Sequence, residues 1–235
     1  MKTYKRIFLK LSGESLAEKG DKGISSRRLD IYVSQIRDAM QMGIQIGIVL
    51  GGGNIFRGLS GSSGGYDRVK SDYMGMMATI INGLGLLTAL EKSKIPASLF
   101  TAFTVQRIGN IFNKDLAIAD MENGKIIILT GGTGNPYFTT DSAAALRAIE
   151  LEADILIKGT RVDGVYSADP EKYPDAKKYE TLSFDAVLEK KLAVMDLTAF
   201  TLCKENNLPI LVYNSEVPEN LKKVLKGEKI GTLIK

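Results

Sequence analysis

Six short apolar runs recur along the chain: RIFLKL at 6–11, IQIGIVL at 44–50, ASLFTA at 97–102, IIILT at 126–130, DILIKG at 154–159 and PILVYN at 209–214. Their length and their wealth of Ile, Val and Leu suit strands buried on both faces, and stretches with helical spacing separate them. That alternation predicts an α/β fold, a three-layer sandwich with a mainly parallel central sheet flanked by helices. Between the first two runs Leu29, Val33, Ile36 and Met40 keep helical spacing behind Ser25 and Ser26, and Gly43 supplies a stop, completing one βαβ unit. After DILIKG the polar, proline-bearing segment 160–178 reads as a loop or hairpin, succeeded by helical stretches beginning near Ser183 and Asp196. With 235 residues, 44% of them hydrophobic, such a chain can bury a core of its own.

The residues just beyond these runs narrow the chemistry. Ser12-Gly13 comes after the first, Gly51-Gly52-Gly53-Asn54 after the second, Gly131-Gly132-Thr133-Gly134-Asn135 after the fourth and Gly159-Thr160 after the fifth. In a parallel sheet these ends share one edge, where open α/β sheets bind ligands, and glycine lets main-chain amides approach an anion closely. Any one such loop could be an ordinary turn. Their clustering favours a large anionic site. Neither G-x-x-x-x-G-K-[ST] nor G-x-G-x-x-G occurs, so the common phosphate signatures are not the route.

Charges stand where strands should be apolar. Lys10 interrupts the first run and Lys158 the fifth, each near its carboxyl end. A buried ammonium requires a negative partner, and a substrate phosphate would serve; the alternative is a lysine snorkelling out of an edge strand. Arg57, just past the triple glycine, could bind phosphate oxygens in a forked manner. Asp141 precedes an alanine-rich helix, where it could serve as N-cap or orient the lysines and interact with magnesium on phosphates. The chain has no histidine, which removes the commonest general base and the Ser-His and Cys-His nucleophile systems. Phosphoryl transfer to an anionic acceptor needs no such base, because a phosphate monoester with a second pKa near ~6 is mostly deprotonated at neutral pH.

A formal net charge of +4 suits acidic small molecules better than nucleic acid. The single cysteine, Cys203, cannot form an internal disulfide, and in a helical pattern it suits packing in a reduced, cytoplasmic setting. The N-terminus carries no apolar export segment. The uncharged stretch Tyr73 to Leu90 approaches the length of a short membrane span, but Thr79, Asn82, Thr88 and its glycines favour a helix buried on all sides that also meets another subunit. No membrane and no nucleic-acid partner is expected. Gly and Ser after Arg57, in LSGSSGGYDR, suggest a mobile lid or a plain connecting loop.

KLSGE at 10–14, GGGNIFRG at 51–58, DYMGMMAT at 72–79, TGNPYFTTDSAA at 133–144, VDGVYSADP at 162–170 and MDLTA at 195–199 together resemble the bacterial UMP kinases of the amino acid kinase superfamily, in order and spacing over nearly the full length. The resemblance implies the amino acid kinase fold over 1–235, with an acceptor-binding N-terminal part of about 1–150 and an ATP-binding C-terminal part of about 151–235. It implies transfer of the γ-phosphoryl group of ATP, accompanied by Mg2+, to UMP in pyrimidine nucleotide synthesis. Lys10, Leu11, Ser12, Gly13, Gly53 and Arg57 match positions that bind ATP phosphates, and Thr160, Tyr166 and Asp169 match the adenosine end. Gly52, Asp72, Thr133, Gly134, Asn135, Pro136, Tyr137, Phe138, Thr139 and Thr140 match the UMP site, with Asn135 and its neighbours expected to read uracil. Lys10, Arg57, Asp141 and Lys158 are the catalytic set; for Tyr137 and Phe138 plain loop packing is the competing role. A homohexamer with GTP and UTP as effectors is also implied, although Leu87 and Thr88 stand where some relatives carry an Arg-Asp pair, and Glu18 to Gly23 resembles a variable loop. Competing readings are a kinase of another small acidic acceptor, or a non-catalytic nucleotide-binding or storage protein on the same fold.

Overall fold

The computed structural model describes residues 4–18, 20–56 and 65–235; Arg57 and most of the suggested lid lie outside them. Along the chain come β1 (Arg6–Leu11), α1 (Ser26–Gln41), β2 (Gln45–Leu50), α2 (Arg68–Lys92), β3 (Ala97–Thr101), β4 (Asn110–Ile111), α3 (Lys114–Glu122) and β5 (Ile126–Thr130). Next are α4 (Thr140–Glu150), β6 (Ile155–Thr160), β7 (Thr181–Leu182), α5 (Phe184–Glu189), α6 (Leu197–Glu205), β8 (Ile210–Asn214), α7 (Asn220–Leu225) and β9 (Thr232–Ile234). All six apolar runs are strands. Gly159 and Thr160 belong to β6 itself rather than to a loop after it.

Among the described residues the strands form one sheet, ordered β4-β3-β5-β2-β1-β6-β8-β9-β7, and all neighbours are parallel except β8 and β9. Alternate side chains divide the core into two layers. Ile7, Leu9 and Leu11 of β1, with Ile46, Ile48 and Leu50 of β2, pack against α1, α2 and α7. Phe8 and Val49 point the other way, toward α3, α4, α5 and α6. Period-2 alternation with both faces apolar is what a helix-covered parallel sheet requires. Burial of Cys203 in the second layer pushes its thiol pKa up to about 12, which fits a packing role.

Side chains fasten the helix starts. Ser25 caps α1 by accepting from the Arg28 amide, and Asp67 caps α2 by accepting from the Lys70 amide. Helix α4 is capped by Thr139, which accepts from the Asp141 amide. Asp141 is therefore not the N-cap; it lies in the first turn with its carboxylate free for other work.

The uncharged stretch Tyr73 to Leu90 lies within α2 and has two faces. α2 buries Met76, Ala78, Thr79, Ile80, Asn82, Gly83, Leu86 and Leu90 within the chain and leaves Tyr73, Met74, Met77 and Ile81 on its exposed face. By length and apolarity it passes for a membrane span. Its buried face instead closes one layer of the sandwich, as a core helix does.

Candidate functional site

Three hollows lie in a row along the carboxyl edge of the central strands and share walls. The middle one, about 290 Å³, is lined by Lys10, Thr139, Thr140, Asp141, Lys158 and the segment 193–196. Lys158 also borders a hollow of about 520 Å³ reaching Thr160, Val162, Tyr166, Asp169 and Pro170. On the other side Thr139 and Thr140 also border a hollow of about 290 Å³ walled by Gly52, Gly53, Arg68, Asp72, Thr133 and Phe138.

In the middle hollow Lys10 and Lys158 face each other as register partners on the adjacent central strands β1 and β6. Neither is at a sheet edge, so the snorkelling alternative fails. Asp141, brought over the sheet by the first turn of α4, sits between them. Lys158 donates a hydrogen bond to its Oδ2 at 2.6 Å and another to the Val194 carbonyl at 2.7 Å. Lys10 Nζ lies 2.6 Å from Oδ1, an ion pair by distance without the alignment of a hydrogen bond. Burial alone would raise the Asp141 pKa, but Lys10 and Lys158 reverse this and hold it below the ordinary 3.8. Burial draws Lys158 below the ordinary 10.5; Asp141 opposes that and nearby Lys10 reinforces it. Asp196 lines the same hollow and acts on Lys158 as well, so the two ammonium groups stand opposite two carboxylates on the wall of a hollow that has room for an anion.

The loop after β5 enters the acceptor-side hollow through a run of left-handed residues, Gly131 at φ 79°, Gly132 at 62° and Gly134 at 84°. Thr79 of α2 accepts from the Gly131 amide at 2.8 Å. Farther along, Tyr137 adopts φ 71°, unusual for an aromatic residue. Asp72 holds it there: Oδ2 accepts from the Tyr137 amide at 2.8 Å and from Arg68 Nε at 2.9 Å, while the Arg68 guanidinium lies 5.3 Å from the centre of the Tyr137 ring. Gly52, Asp72, Thr133, Phe138, Thr139 and Thr140 thus share the wall, whereas Gly134, Asn135, Pro136 and Tyr137 do not line the hollow. Asn135 is exposed, and its main-chain N–H donates to Thr133 Oγ1. Gly53 lines this same hollow.

Thr160, Tyr166 and Asp169 line the large hollow together. Tyr166 donates to Asp163, and Lys178 pairs with Asp163 at 2.8 Å, closing the expected hairpin, whose one bridge joins Tyr166 and Lys178. Ser12 and Gly13 stand at the end of β1, where Leu11 turns its side chain into the core, so only its main chain can meet a ligand.

Sequence reasoning missed Asp196. It caps α6 through the Ala199 amide and accepts from the hydroxyls of Thr139 and Ser142, binding the start of α6 to the start of α4 beside Asp141. The readable signal was an aspartate ahead of a helical stretch. Its two hydroxyl partners, 57 and 54 residues away, were not readable. Arg68, Thr79 and Asn82 were missed in the same way.

A sequence profile described as the Amino acid kinase family matches residues 5–214. A uridylate kinase of Phocaeicola vulgatus is 56% identical over 234 residues, covering 100% of this chain and 99% of that protein. Among solved structures, a UMP kinase from Bacillus anthracis superposes with a TM-score of 0.96 at 36% identity, covering 99% of this chain and 96% of that one. A UMP kinase from Ureaplasma parvum superposes at 0.92 with 38% identity, covering 100% and 99%.

Proposed function

The chain belongs to the amino acid kinase family, and from that premise we propose that it phosphorylates UMP with ATP, yielding UDP and ADP. The observation that carries the reading is the row of three hollows with Lys10, Asp141 and Lys158 in the middle one. We assign the large hollow to the adenosine end of ATP, the Asp72 hollow to UMP, and the middle one to the phosphates of both. On this assignment the acceptor part of the chain is about 1–150 and the ATP part about 151–235.

A phosphate oxygen of UMP attacks the γ-phosphorus; that O–P bond forms as the bond to the β–γ bridging oxygen breaks, and ADP leaves with the electron pair. No proton must be removed first, so a chain without histidine can perform the step. The protein's task is alignment and charge neutralisation. Lys10 and Lys158 face the charge spread over the moving group, and Asp141 keeps both ammonium groups in place and Lys158 protonated. Magnesium is taken to arrive as part of MgATP: among the described residues no three Asp, Glu, His or Cys side chains converge, and Asp141 already serves two lysines. Asp72 would accept from the ribose hydroxyls once its pairing with Tyr137 yields.

A coupled assay of ADP release from MgATP, with UMP, CMP, carbamate and acetylglutamate as separate acceptors, tests this. UMP is expected to support turnover at least about tenfold faster than CMP, since a site built for one base edge leaves buried groups unpaired with the other. No UMP-dependent ADP release would refute the reading. The same assay with GTP or UTP added tests both as the effectors we propose. We further propose a cytoplasmic homohexamer in which the exposed Tyr73, Met74, Met77 and Ile81 face of α2 meets another copy; its apolar character supports this.

In the alkaline range kcat/KM, which reports the free protein, is expected to fall before the ordinary lysine value of 10.5, because burial lowers the Lys158 pKa. A rate that stays level up to that pH would remove Lys158 from its role.

A further inference from the structure

Asn82 stands in the middle of the uncharged stretch of α2, fully buried, in a setting where an amide is a poor helix former and costly to desolvate. Its partner is Asn54, at the end of the glycine loop after β2. Asn54 Nδ2 donates to Asn82 Oδ1 at 3.0 Å, and Asn82 Nδ2 donates to Asn54 Oδ1 at 2.7 Å, a reciprocal amide pair. The second hydrogen on each nitrogen is also used: Asn82 donates to the Gly51 carbonyl and Asn54 to the Gly23 carbonyl, both at 2.7 Å. Such a fully satisfied buried network holds one geometry strongly.

The bond to Gly51 fixes the direction of the next amide. In a trans peptide the carbonyl of one residue and the N–H of its successor point in opposite directions. With the Gly51 carbonyl turned toward Asn82, the Gly52 N–H is turned away from Asn82, and Gly52 is part of the wall of the acceptor-side hollow. The loop is pressed backbone to backbone on the helix, since a Cβ on Gly52 would come within 2.8 Å of the Gly75 carbonyl oxygen. Gly51 itself has no side chain to oppose rotation of that peptide.

We propose that Asn82, held by Asn54, is a positioning residue that aims the Gly52 N–H at the phosphate of the acceptor. The proposal rests on the assignment of the Asp72 hollow to the acceptor and deepens it.

The test is calorimetric binding of UMP, uridine and ATP to the intact protein, wild type, Asn82→Leu, Asn54→Ala and the double variant. Leucine is close in size to asparagine but cannot hold the Gly51 carbonyl; Asn54→Ala alters only the loop side, where the helix is undisturbed. Either variant should weaken UMP binding about tenfold, the scale of one aimed hydrogen bond to a charged group. Uridine, which lacks the phosphate, and ATP should stay within about threefold of wild type. The double variant should bind UMP no worse than the weaker single, because both changes remove one network. Unchanged UMP affinity, or equal weakening of all three ligands, overturns the proposal. Wild-type protein that binds ATP but not UMP overturns the acceptor assignment itself and this proposal with it.

Discussion

Asp141→Asn is expected to lower kcat by about a thousandfold or more, beyond the loss of one transition-state donor, because it disorganises two cations at once. Lys10 and Lys158 are register partners on neighbouring strands, and the carboxylate between them is their shared counter-charge. With a neutral amide there, two ammonium groups repel across a buried gap. Breaking a buried ion pair from one side costs about 3–5 kcal/mol, so the urea midpoint should fall as well. The pH dependence has a definite sign. Lys158 already has a folded pKa below its unfolded value, and loss of Asp141 depresses it further. In the window between the folded and unfolded values the unfolded chain binds more protons, so the variant's stability deficit should shrink as pH rises through it. In the wild type the Asp141 pKa is depressed, so its stabilisation is complete above 3.8 and is lost as pH falls through the lower folded value. A variant keeping a tenth of wild-type turnover would show that the carboxylate does not organise the lysines.

Lys10→Ala is expected to separate activity from stability. Of the three charges, removal of Lys10 leaves Lys158 paired with Asp141 as a neutral couple, still hydrogen-bonded at 2.6 Å. One of the two cations that face the transferring group is gone. The rate should therefore drop about a hundred- to a thousandfold, while the unfolding free energy stays within about 1 kcal/mol of wild type. A lysine present only for packing predicts the reverse, a stability loss through its buried stem with turnover retained. Steady-state kinetics and urea unfolding on one preparation decide between them.

Much of this molecule was legible in one dimension. The short apolar runs rich in Ile, Val and Leu marked the six core strands, and the glycine clusters behind them marked the edge where the hollows lie. The lysines were conspicuous because they broke apolar runs. The short strands β4, β7 and β9, of two or three residues, carry too few side chains to show a period. The reading of α2 as a core helix that also meets another subunit could not say which residues face the sheet, because composition is blind to helix faces. Met74 and Met76 look alike in sequence, yet one is exposed and the other buried.

The sequence by itself determined the layers of the sandwich, the chemical types at its ligand edge and the exclusion of histidine chemistry, since these depend on local periodicity and composition. Only the tertiary structure decided that Lys10 stands beside Lys158 with Asp141 between them, that Asp196 ties α4 to α6, and that Asn82 grips the loop of Asn54. Each is a contact between elements far apart along the chain. Strand register and helix placement over the sheet, set by packing of the whole core, fix such contacts, and no local pattern encodes them.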